Sequence, residues 1–353
     1  MIADDLTGAL DTASQFGEAL VLLDPSAGLD SRVVALSINS RKLPPSDAYE
    51  KLRILLRSLP KPKYLYKKVD STMRGNVGAE LEAVAETVGK PIPFTPAFPE
   101  QGRIVVNGRL IVNGVPLEKT QYAEELPVRS SSIIEILSAT GSLKPCYWGE
   151  SGGDVLVFRN VRNREELSLA FNSIIEEGLV NVISGSAGLA MELSRHLGTI
   201  EPEKPSSNGP ILIVSGSRNP TTLKQLENLS RHIPLREPLK ERQEALAILR
   251  SGRDLAVASY LGDPAEEKSW WTLADFVDEA APLIGGLIIV GGETSKLILE
   301  RLGAKGVKIG RSPETGIAAG WIIGGKLDGK PLLTKAGGFG KEDALIRMWR
   351  WLK

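Results

Sequence analysis

Two clusters of polar side chains in the N-terminal half of the sequence are of types that can bind an anionic, hydroxylated small molecule. The first is Asp4 and Asp5, which stand side by side directly before the run "LTGALDTA". Their carboxylates could bind sugar hydroxyls or Mg²⁺, which prefers hard oxygen ligands. Alternatively, one of them could cap the helix that this run predicts. The two residues alone do not distinguish a site from a cap.

The second cluster lies in the stretch "YKKVDSTMRGN", at the end of a predicted strand. Lysine and arginine can hold a carboxylate or a phosphate, and arginine can do so through two parallel hydrogen bonds. Asp70 could accept a proton from a hydroxyl, whereas a solvated basic edge that continues "RSLPKPK" is the alternative. The stretch "PVRSSSI" adds Arg129 and three hydroxyls. The residues of the second cluster are Lys67, Lys68, Asp70, Ser71, Thr72, Arg74 and Gly75.

Four glycine-containing turns precede predicted helices: "VISGSAGLA", "IVSGSRNPTT", "IVGGETSK" and "TKAGGFGKED". A helix N-terminus offers unpaired N–H groups to an anion, and glycine lets the backbone approach that anion closely. The last turn could form a nest of N–H groups with Lys335 or Lys341 nearby. None has the P-loop or the GxGxxG spacing, so each alone is better explained as a tight turn. Two or three of them at one sheet edge predict a nucleotide site in the C-terminal domain.

Strands and helices alternate along most of the chain, which predicts parallel sheets covered by helices on both faces. The expected fold class is α/β, with two domains that are each a mainly parallel sheet flanked by helices. The runs "RIVVNG" and "RLIVNG" predict a β-hairpin elaboration in the N-terminal domain, because Asn-Gly favours tight turns. A polar segment rich in Pro and Ser at 198–210 separates the two domains, which we expect at 1–200 and 208–353.

Helix ends in the C-terminal half carry clear local signals. Asn219 is a predicted N-cap with Pro220 at the first helical position, and Gly303 fits a left-handed stop. The last predicted helix, in "KEDALIRMWRWLK", carries one apolar stripe that predicts a packing face. The stripe consists of Ala344, Leu345, Met348, Trp349 and Leu352.

Composition excludes several classes of function. The 353 residues include 43 Lys plus Arg and 43 Asp plus Glu, and this balance argues against a nucleic-acid or anionic-membrane partner. The single cysteine, Cys146, predicts a reducing compartment, and no apolar run approaches the ~20 residues of a membrane span. With no signal-peptide pattern, we expect a cytoplasmic protein. Only His196 and His232 are present, which disfavours zinc sites and serine hydrolase chemistry.

Taken together, these stretches resemble the four-carbon acid sugar kinase family, formerly a domain of unknown function. The matching strings run in family order through nearly the whole chain, and jointly they are very specific. They are "IADDLTGALDTA", "YKKVDSTMRGNVGAEL", "PAFPEQGR", "VNGVPLEKT", "PVRSS", "GSAGLA", "SGSRNPTT", "GGETS" and "KAGGFGKEDAL". The resemblance implies an ATP- and Mg²⁺-dependent kinase of threonate, erythronate or oxo-tetronate. It would phosphorylate the terminal hydroxyl of the acid sugar in the cleft between the two domains.

Carried over position by position, the resemblance also assigns binding residues, and we add Arg129 to the substrate-binding set. Contacts to ATP are expected from Ser215, Ser217, Gly291, Gly292, Glu293, Thr294, Gly337, Gly338 and Gly340. Contacts to the acid sugar are expected from Asp4, Asp5, Lys68, Asp70, Ser71, Arg74 and Arg129. Catalytic roles are expected for Asp70, Asp5 and Arg74, whereas the metal ligands are not assigned.

Two other functions fit the same α/β architecture. One is a nucleotide-binding sensor without turnover, which formation of ADP in the presence of a four-carbon acid would exclude. The other is an NAD-dependent enzyme, which the absence of GxGxxG disfavours. The expected partner is a small acid sugar, with no nucleic acid and no membrane, and a homodimer is left open.

Overall fold

The computed structural model describes residues 1–24, 28, 31–259 and 269–353. Contacts within the chain divide it into two compact units. The N-terminal unit contains Met1–Phe16 and Ser37–Thr199, and the C-terminal unit contains Gly17–Leu36 and Ile200–Lys353. The boundaries at 1–200 and 208–353 stay predictions. The contacts place residues 17–36 with the C-terminal unit, and no change in composition marks that exchange.

The strands are short, with two to seven residues each. In chain order they are β1 Ile2–Ala3, β2 Leu20–Leu22, β3 Val34–Ser37, β4 Leu65–Lys68, β5 Ile92–Thr95, β6 Arg103–Val106, β7 Arg109–Val112, β8 Val115–Pro116, β9 Pro145–Tyr147, β10 Val155–Val157, β11 Val182–Gly185, β12 Ile211–Ser215, β13 Leu235–Arg236, β14 Leu255–Ala258, β15 Gly286–Val290, β16 Gly306–Ile309, β17 Ile317–Ile323 and β18 Pro331–Lys335.

The helices alternate with these strands, as the sequence predicts. They are α1 Leu6–Ala13, α2 Pro45–Ser58, α3 Val77–Thr87, α4 Ile133–Ser138, α5 Arg164–Glu176, α6 Ala187–Leu197, α7 Pro220–Ser230, α8 Pro238–Arg250, α9 Ser269–Ala280, α10 Gly292–Arg301 and α11 Ala344–Leu352. Within the described ranges, none of them combines the length and the apolar character that crossing a bilayer requires.

The N-terminal unit is built on a parallel sheet in the order β1-β4-β11-β5-β10-β9. Ala3 is level with Lys68, and Gly185 is level with the same residue on the other side. The predicted hairpin is confirmed: β6 and β7 pair antiparallel around Asn107 and Gly108, which both adopt positive φ. A third strand, β8, extends it after a second Asn-Gly turn.

The C-terminal unit has a parallel sheet in the order β13-β14-β12-β15-β18, extended by the antiparallel strands β17 and β16. β2 then pairs antiparallel with β16 and parallel with β3. Ser215 is level with Val290, and Val290 is level with Lys335. The mainly parallel α/β architecture is therefore confirmed, and the turns after β12, β15 and β18 leave the sheet at one edge.

Helix α11 closes the core of the C-terminal unit. Leu345, Met348 and Leu352 are fully buried against residues of β12, β15, β18 and α7, and Trp349 packs on that cluster half-buried. The predicted packing face is therefore confirmed. The predicted cap is confirmed too, because the Asn219 side chain accepts the N–H of Thr221 at 2.9 Å.

Candidate active site

The polar clusters of the N-terminal unit meet at the carboxyl edge of its sheet. β1 ends at Ala3 and β4 ends at Lys68, and these two residues are paired in register. Asp4 and Asp5 therefore leave the sheet beside the turn that carries Asp70. The two clusters, more than sixty residues apart in the sequence, form one corner because parallel strands gather their carboxyl ends at one edge.

Arg41 joins the three aspartates of this corner. Its Nε lies 2.8 Å from Oδ2 of Asp4, and its Nη1 lies 2.9 Å from Oδ2 of Asp5. Its Nη2 lies 3.9 Å from Oδ1 of Asp70. Sequence reasoning missed Arg41, which stands in the polar turn "NSRKLPP" after β3. Its signal was its place in the turn that follows β3, four residues beyond the end of that strand.

Arg74 forms a bidentate pair with Asp70. Its Nε and Nη2 lie 2.7 and 3.1 Å from the two carboxylate oxygens, and the Thr72 hydroxyl also donates to this carboxylate. Nη1 of Arg74 lies 3.3 Å from Glu125. The turn that allows this geometry has positive φ at Met73 and Gly75. Arg74 is thus already held by carboxylates, which sequence reasoning did not anticipate.

The adjacent aspartates have different partners. Oδ1 of Asp5 accepts the N–H of Gly8 at 2.7 Å and caps α1, so the cap and the charged corner share one residue. Asp4 makes no cap, and its side chain is only 4% exposed. Its Oδ1 is buried with no hydrogen-bond partner among the described residues, whereas the other carboxylate oxygens of Asp4, Asp5 and Asp70 are paired.

The surroundings lower the pKa values of Asp4 and Asp70 and raise the pKa of Asp5. Burial opposes ionisation of Asp70, but Arg74 and Arg41 outweigh it and hold the pKa of Asp70 well below its usual range. Burial likewise opposes ionisation of Asp4, yet Arg41 and the two lysines of β4 lower the pKa of Asp4. For Asp5, burial prevails over Arg41 and raises the pKa of its carboxyl. Asp5 is therefore the carboxyl of the corner that most readily takes up a proton.

The two lysines of β4 have separate roles. Nζ of Lys68 donates to the carbonyl of Val69 at 2.7 Å, and it lies beside Gly8 at the edge of the corner. Nζ of Lys67 pairs with Glu80 of α3 at 2.7 Å, and both side chains are 1% exposed. Lys67 is thus neutralised inside the unit, whereas Lys68 stands next to the aspartates.

The remaining predicted substrate-binding residues are Arg129 and Ser71. Arg129 is exposed, its Nε lies 3.4 Å from the carbonyl of Glu118, and within the described chain it contacts none of the three aspartates. Ser71 is half-buried in the turn after β4, between Asp70 and Thr72. Ser71 thus lies in the turn that carries Asp70, whereas Arg129 lies outside the corner.

Three of the four glycine turns converge in the C-terminal unit. The Thr222 hydroxyl donates to the carbonyl of Gly337 at 2.6 Å and lies 3.2 Å from the Ser217 hydroxyl. A Cβ on Gly337 would overlap that serine hydroxyl, and a Cβ on Gly216 would overlap the hydroxyl of Thr294. The turns after β12, β15 and β18 therefore touch one another, and glycine is needed for them to approach so closely.

The loop after β18 is held by side chains that bind its carbonyl oxygens. Nε2 of Gln225 lies within 3.2 Å of the carbonyls of Phe339, Gly340 and Lys341. Gly291, with φ of +106°, donates its N–H to the carbonyl of Lys335 and opens α10. Ser215 is 1% exposed and its hydroxyl accepts the N–H of Ser217 at 3.4 Å. With its carbonyls turned inward, the loop can present N–H groups outward.

The fourth turn, "VISGSAGLA", belongs to the N-terminal unit. The Ser186 hydroxyl donates to the carbonyl of Ala97 at 2.7 Å, and a Cβ on Gly188 would lie 2.5 Å from that oxygen. The small residues of this turn thus let α6 pack on the segment after β5, which accounts for them without a ligand.

Comparison with protein families matches both halves of the chain. Residues 1–147 match a family described as "Sugar-binding N-terminal domain", and residues 212–345 match "Nucleotide-binding C-terminal domain". The chain is 27% identical to a D-threonate kinase of Salmonella typhimurium, over 98% of this chain and 96% of the relative. It is 24% identical to a D-erythronate kinase of Heliobacterium modesticaldum, over 98% and 94%, and 27% identical to a 3-oxo-tetronate kinase of Pectobacterium atrosepticum, over 98% and 97%.

Two solved structures share the fold. A Haemophilus influenzae protein from a family of unknown function superposes with a TM-score of 0.77 at 21% identity, over 100% of this chain and 99% of its own. A Salmonella typhimurium protein titled a putative tRNA synthase gives 0.81 at 22% identity, over 100% and 98%. At these identities the likeness establishes the architecture of the chain.

Proposed function

Because the chain belongs to the four-carbon acid sugar kinase family, we propose that it transfers the γ-phosphate of ATP to the terminal hydroxyl of a four-carbon acid sugar. The observation that carries this proposal is the unpaired Oδ1 of Asp4. A buried carboxylate oxygen without a donor is costly, and a substrate hydroxyl would supply the missing hydrogen bond.

The charges around that oxygen support an acidic substrate. Arg41 and Lys68 border the aspartates, and neither is held by a bidentate pair with a single carboxylate. A sugar carboxylate could pair with them, or draw Arg74 from its weaker contact with Glu125. Arginine suits this task because its planar fork matches a carboxylate.

We assign the proton-accepting role to Asp5. The ideal base has a pKa near the working pH, and among the three aspartates only the pKa of Asp5 is raised. Its side chain is 25% exposed, against 4% for Asp4 and 13% for Asp70. Asp70 then serves to hold Arg74 and Arg41 in place, and Asp4 orients the hydroxyl.

The C-terminal loops support a nucleotide as phosphate donor. Phosphoryl transfer depends on positioning and on neutralising the charge of the phosphates, and backbone N–H groups do both. The turns at Ser217, Gly291 and Gly337 lie in contact with one another and can offer such groups. We therefore propose ATP contacts from the nine residues that the family resemblance implies.

Mg²⁺ would accompany ATP, where it neutralises the charge on the phosphates. In the residues described, no group of three or more His, Cys, Asp or Glu could hold a metal ion. This fits Mg²⁺, which keeps several waters and binds mostly through substrate phosphates with one or two carboxylates. Glu293, in the first turn of α10, is the carboxylate of these turns that we expect nearest to such an ion.

The test is release of ADP from MgATP in the presence of D-threonate, D-erythronate and 3-oxo-tetronate, each assayed alone. We expect at least one acid to stimulate release strongly. Threitol and erythritol, which lack the carboxylate, are matched controls and should not do so, because the arginines would have no anion to bind.

Two outcomes would contradict the proposal in different ways. Binding of ATP without turnover on any of the acids would favour a nucleotide sensor. Equal rates with the acids and the neutral polyols would contradict the role given to the charged corner, although a kinase activity would stand.

A further inference from the structure

Lys335, the last residue of β18, is a buried lysine that forms no ion pair with a carboxylate of the described residues. Its side chain is 1% exposed, and its Nζ donates to the carbonyls of Ala336 at 2.9 Å and Gly337 at 3.5 Å. No ion pair joins it to any residue that the structure describes. Burial alone lowers the pKa of Lys335 to about 7, whereas an exposed lysine titrates near 10.4.

Lys67 provides an internal comparison. It is equally buried, at 1% exposure, and is the next-to-last residue of the parallel strand β4, but its Nζ pairs with Glu80 at 2.7 Å. Within the described residues, Lys67 thus has a carboxylate partner, whereas no ion pair joins Lys335 to a carboxylate. Because a buried charge is costly without a counter-ion, protonation of Lys335 requires an anion beside its amine, and the described residues do not supply one.

The elements around Lys335 do not supply that partner. β15 and β17, which pair with β18 on its two sides, carry no titratable side chain. Charged residues occur on α7, on α10, before β17 and in the loop itself, and none of them forms an ion pair with Nζ. They are Lys224, Glu227, Glu293, Lys296, Glu300, Arg301, Arg311, Glu314, Lys341, Glu342 and Asp343.

The hydrogen bonds of Lys335 also set the direction of the loop's N–H groups. In a trans peptide, C=O and N–H point to opposite sides. Since the carbonyls of Ala336 and Gly337 point at Nζ, the N–H groups of Gly337 and Gly338 point away from it. Neither of these two N–H groups donates to an acceptor in the described residues. Two successive N–H groups with a cation behind them form an anion-binding nest.

We propose that Lys335 is the charge partner of the nucleotide's phosphate chain, and that its amine takes up a proton when phosphate binds to the loop. The two carbonyls use two N–H groups, which is what a neutral amine has, and protonation adds the third. The proton passes from solvent to Nζ and no other bond changes. This inference deepens the proposed function and rests on it, because the phosphate is that of the proposed ATP.

The test is calorimetric titration of the full chain with ADP at pH 8, in buffers of different ionisation enthalpy. The phosphates of ADP are already ionised at this pH, so proton uptake reports on the protein. We expect most of one proton to be taken up per ADP bound. Lys335→Met should abolish the uptake and weaken binding roughly 10- to 100-fold, as for the loss of a charged hydrogen bond. Lys330→Met, an exposed lysine just before β18, is the matched control and should change neither quantity.

The outcomes separate this inference from the proposed function. If ADP binds to the wild-type protein without proton uptake, the inference is overturned while the nucleotide site stands. Uptake that persists unchanged in Lys335→Met would overturn it as well. Failure of ADP to bind to the wild-type protein would overturn both. The wild-type measurement decides even if Lys335→Met does not fold.

Discussion

The two candidate binding regions differ in the chemical groups that line them. The corner in the N-terminal unit consists of charged side chains that pair with one another, with Arg41 between the three aspartates. The loops in the C-terminal unit consist of glycine backbone and hydroxyls, and beneath them lies Lys335, which pairs with no carboxylate of the described residues. Side-chain charges suit a small acid with several hydroxyls, whereas backbone N–H groups suit a phosphate chain. Removing a charged side chain should therefore impair use of the acid sugar at the first region most. Adding a methyl group to a glycine should impair binding of ATP at the second.

The largest effect is expected for Arg41→Met. Removing one partner from a buried ion pair leaves charges uncompensated, which typically costs about 3–5 kcal/mol. We expect the free energy of unfolding in urea to fall by that order and kcat/KM for the acid sugar to fall at least ~100-fold.

Arg53→Met is the control, because Arg53 forms a partly exposed pair with Glu50 in which little free energy is at stake. A variant at Arg41 with the kinetics of the Arg53 variant would show that Arg41 does not organise the corner.

A second, smaller effect is expected for Gly337→Ala. The added Cβ would overlap the Ser217 hydroxyl, so the loop or the serine must shift. We expect KM for ATP to rise roughly 10-fold, in line with the loss of one or two modest hydrogen bonds, while KM for the acid stays unchanged. Gly338→Ala provides a comparison within the same proposed ATP-binding loop, and we expect a smaller rise in KM because its Cβ would meet only the Asn219 amide at 3.3 Å. Equal KM values for the two variants would argue against close contact between these turns as the basis of the site.

Lowering the pH should reduce the free energy of unfolding, because protonation of Asp70 removes its ion pairs with arginine. The pKa of Asp70 is held below its usual range, so its pairing stabilises the folded chain above the unfolded pKa of about 3.9. That stabilisation is lost as pH falls towards the folded pKa. We expect Asp70→Asn to lower the free energy of unfolding by ~2 kcal/mol at pH 7, and the difference from wild type to shrink below pH ~4. Urea unfolding across pH 3–7 measures this. A difference that stays constant down to pH 3 would mean that the Asp70 pairs contribute nothing through charge.

The smallest expected change in stability distinguishes the two roles of Asp5, which are to cap α1 and to accept the proton. Asp5→Asn keeps a cap for α1, whereas Asp5→Ala removes it and should cost about 1 kcal/mol more in unfolding free energy. If Asp5 accepts the proton, both variants lose turnover alike, because neither carries the carboxylate. Steady-state kcat and urea unfolding of the two variants test this. Turnover retained by Asp5→Asn would move the base role to another aspartate.

Much of the candidate site was predictable because parallel strands place their carboxyl ends together. Asp4, Asp5 and Asp70 each follow a strand, and so do Ser217 and Gly291, so their types and positions were enough to predict where they gather. The glycine turns and the Asn219 cap were likewise local signals. Predicted substrate residues that lay outside a strand end, such as Arg129, did not join the corner.

What the sequence by itself determined is the order of strands and helices and the residues at their ends, since these follow from short-range periodicity and capping. Only the tertiary structure decided which charges face one another. Arg41 joins the aspartates, and Arg74 is already paired with Asp70. Lys67 has a carboxylate partner, whereas Lys335 has none among the residues that the structure describes. The physical reason is that an ion pair depends on which distant strands become neighbours in the sheet. The spacing of residues along the chain does not determine which strands those are.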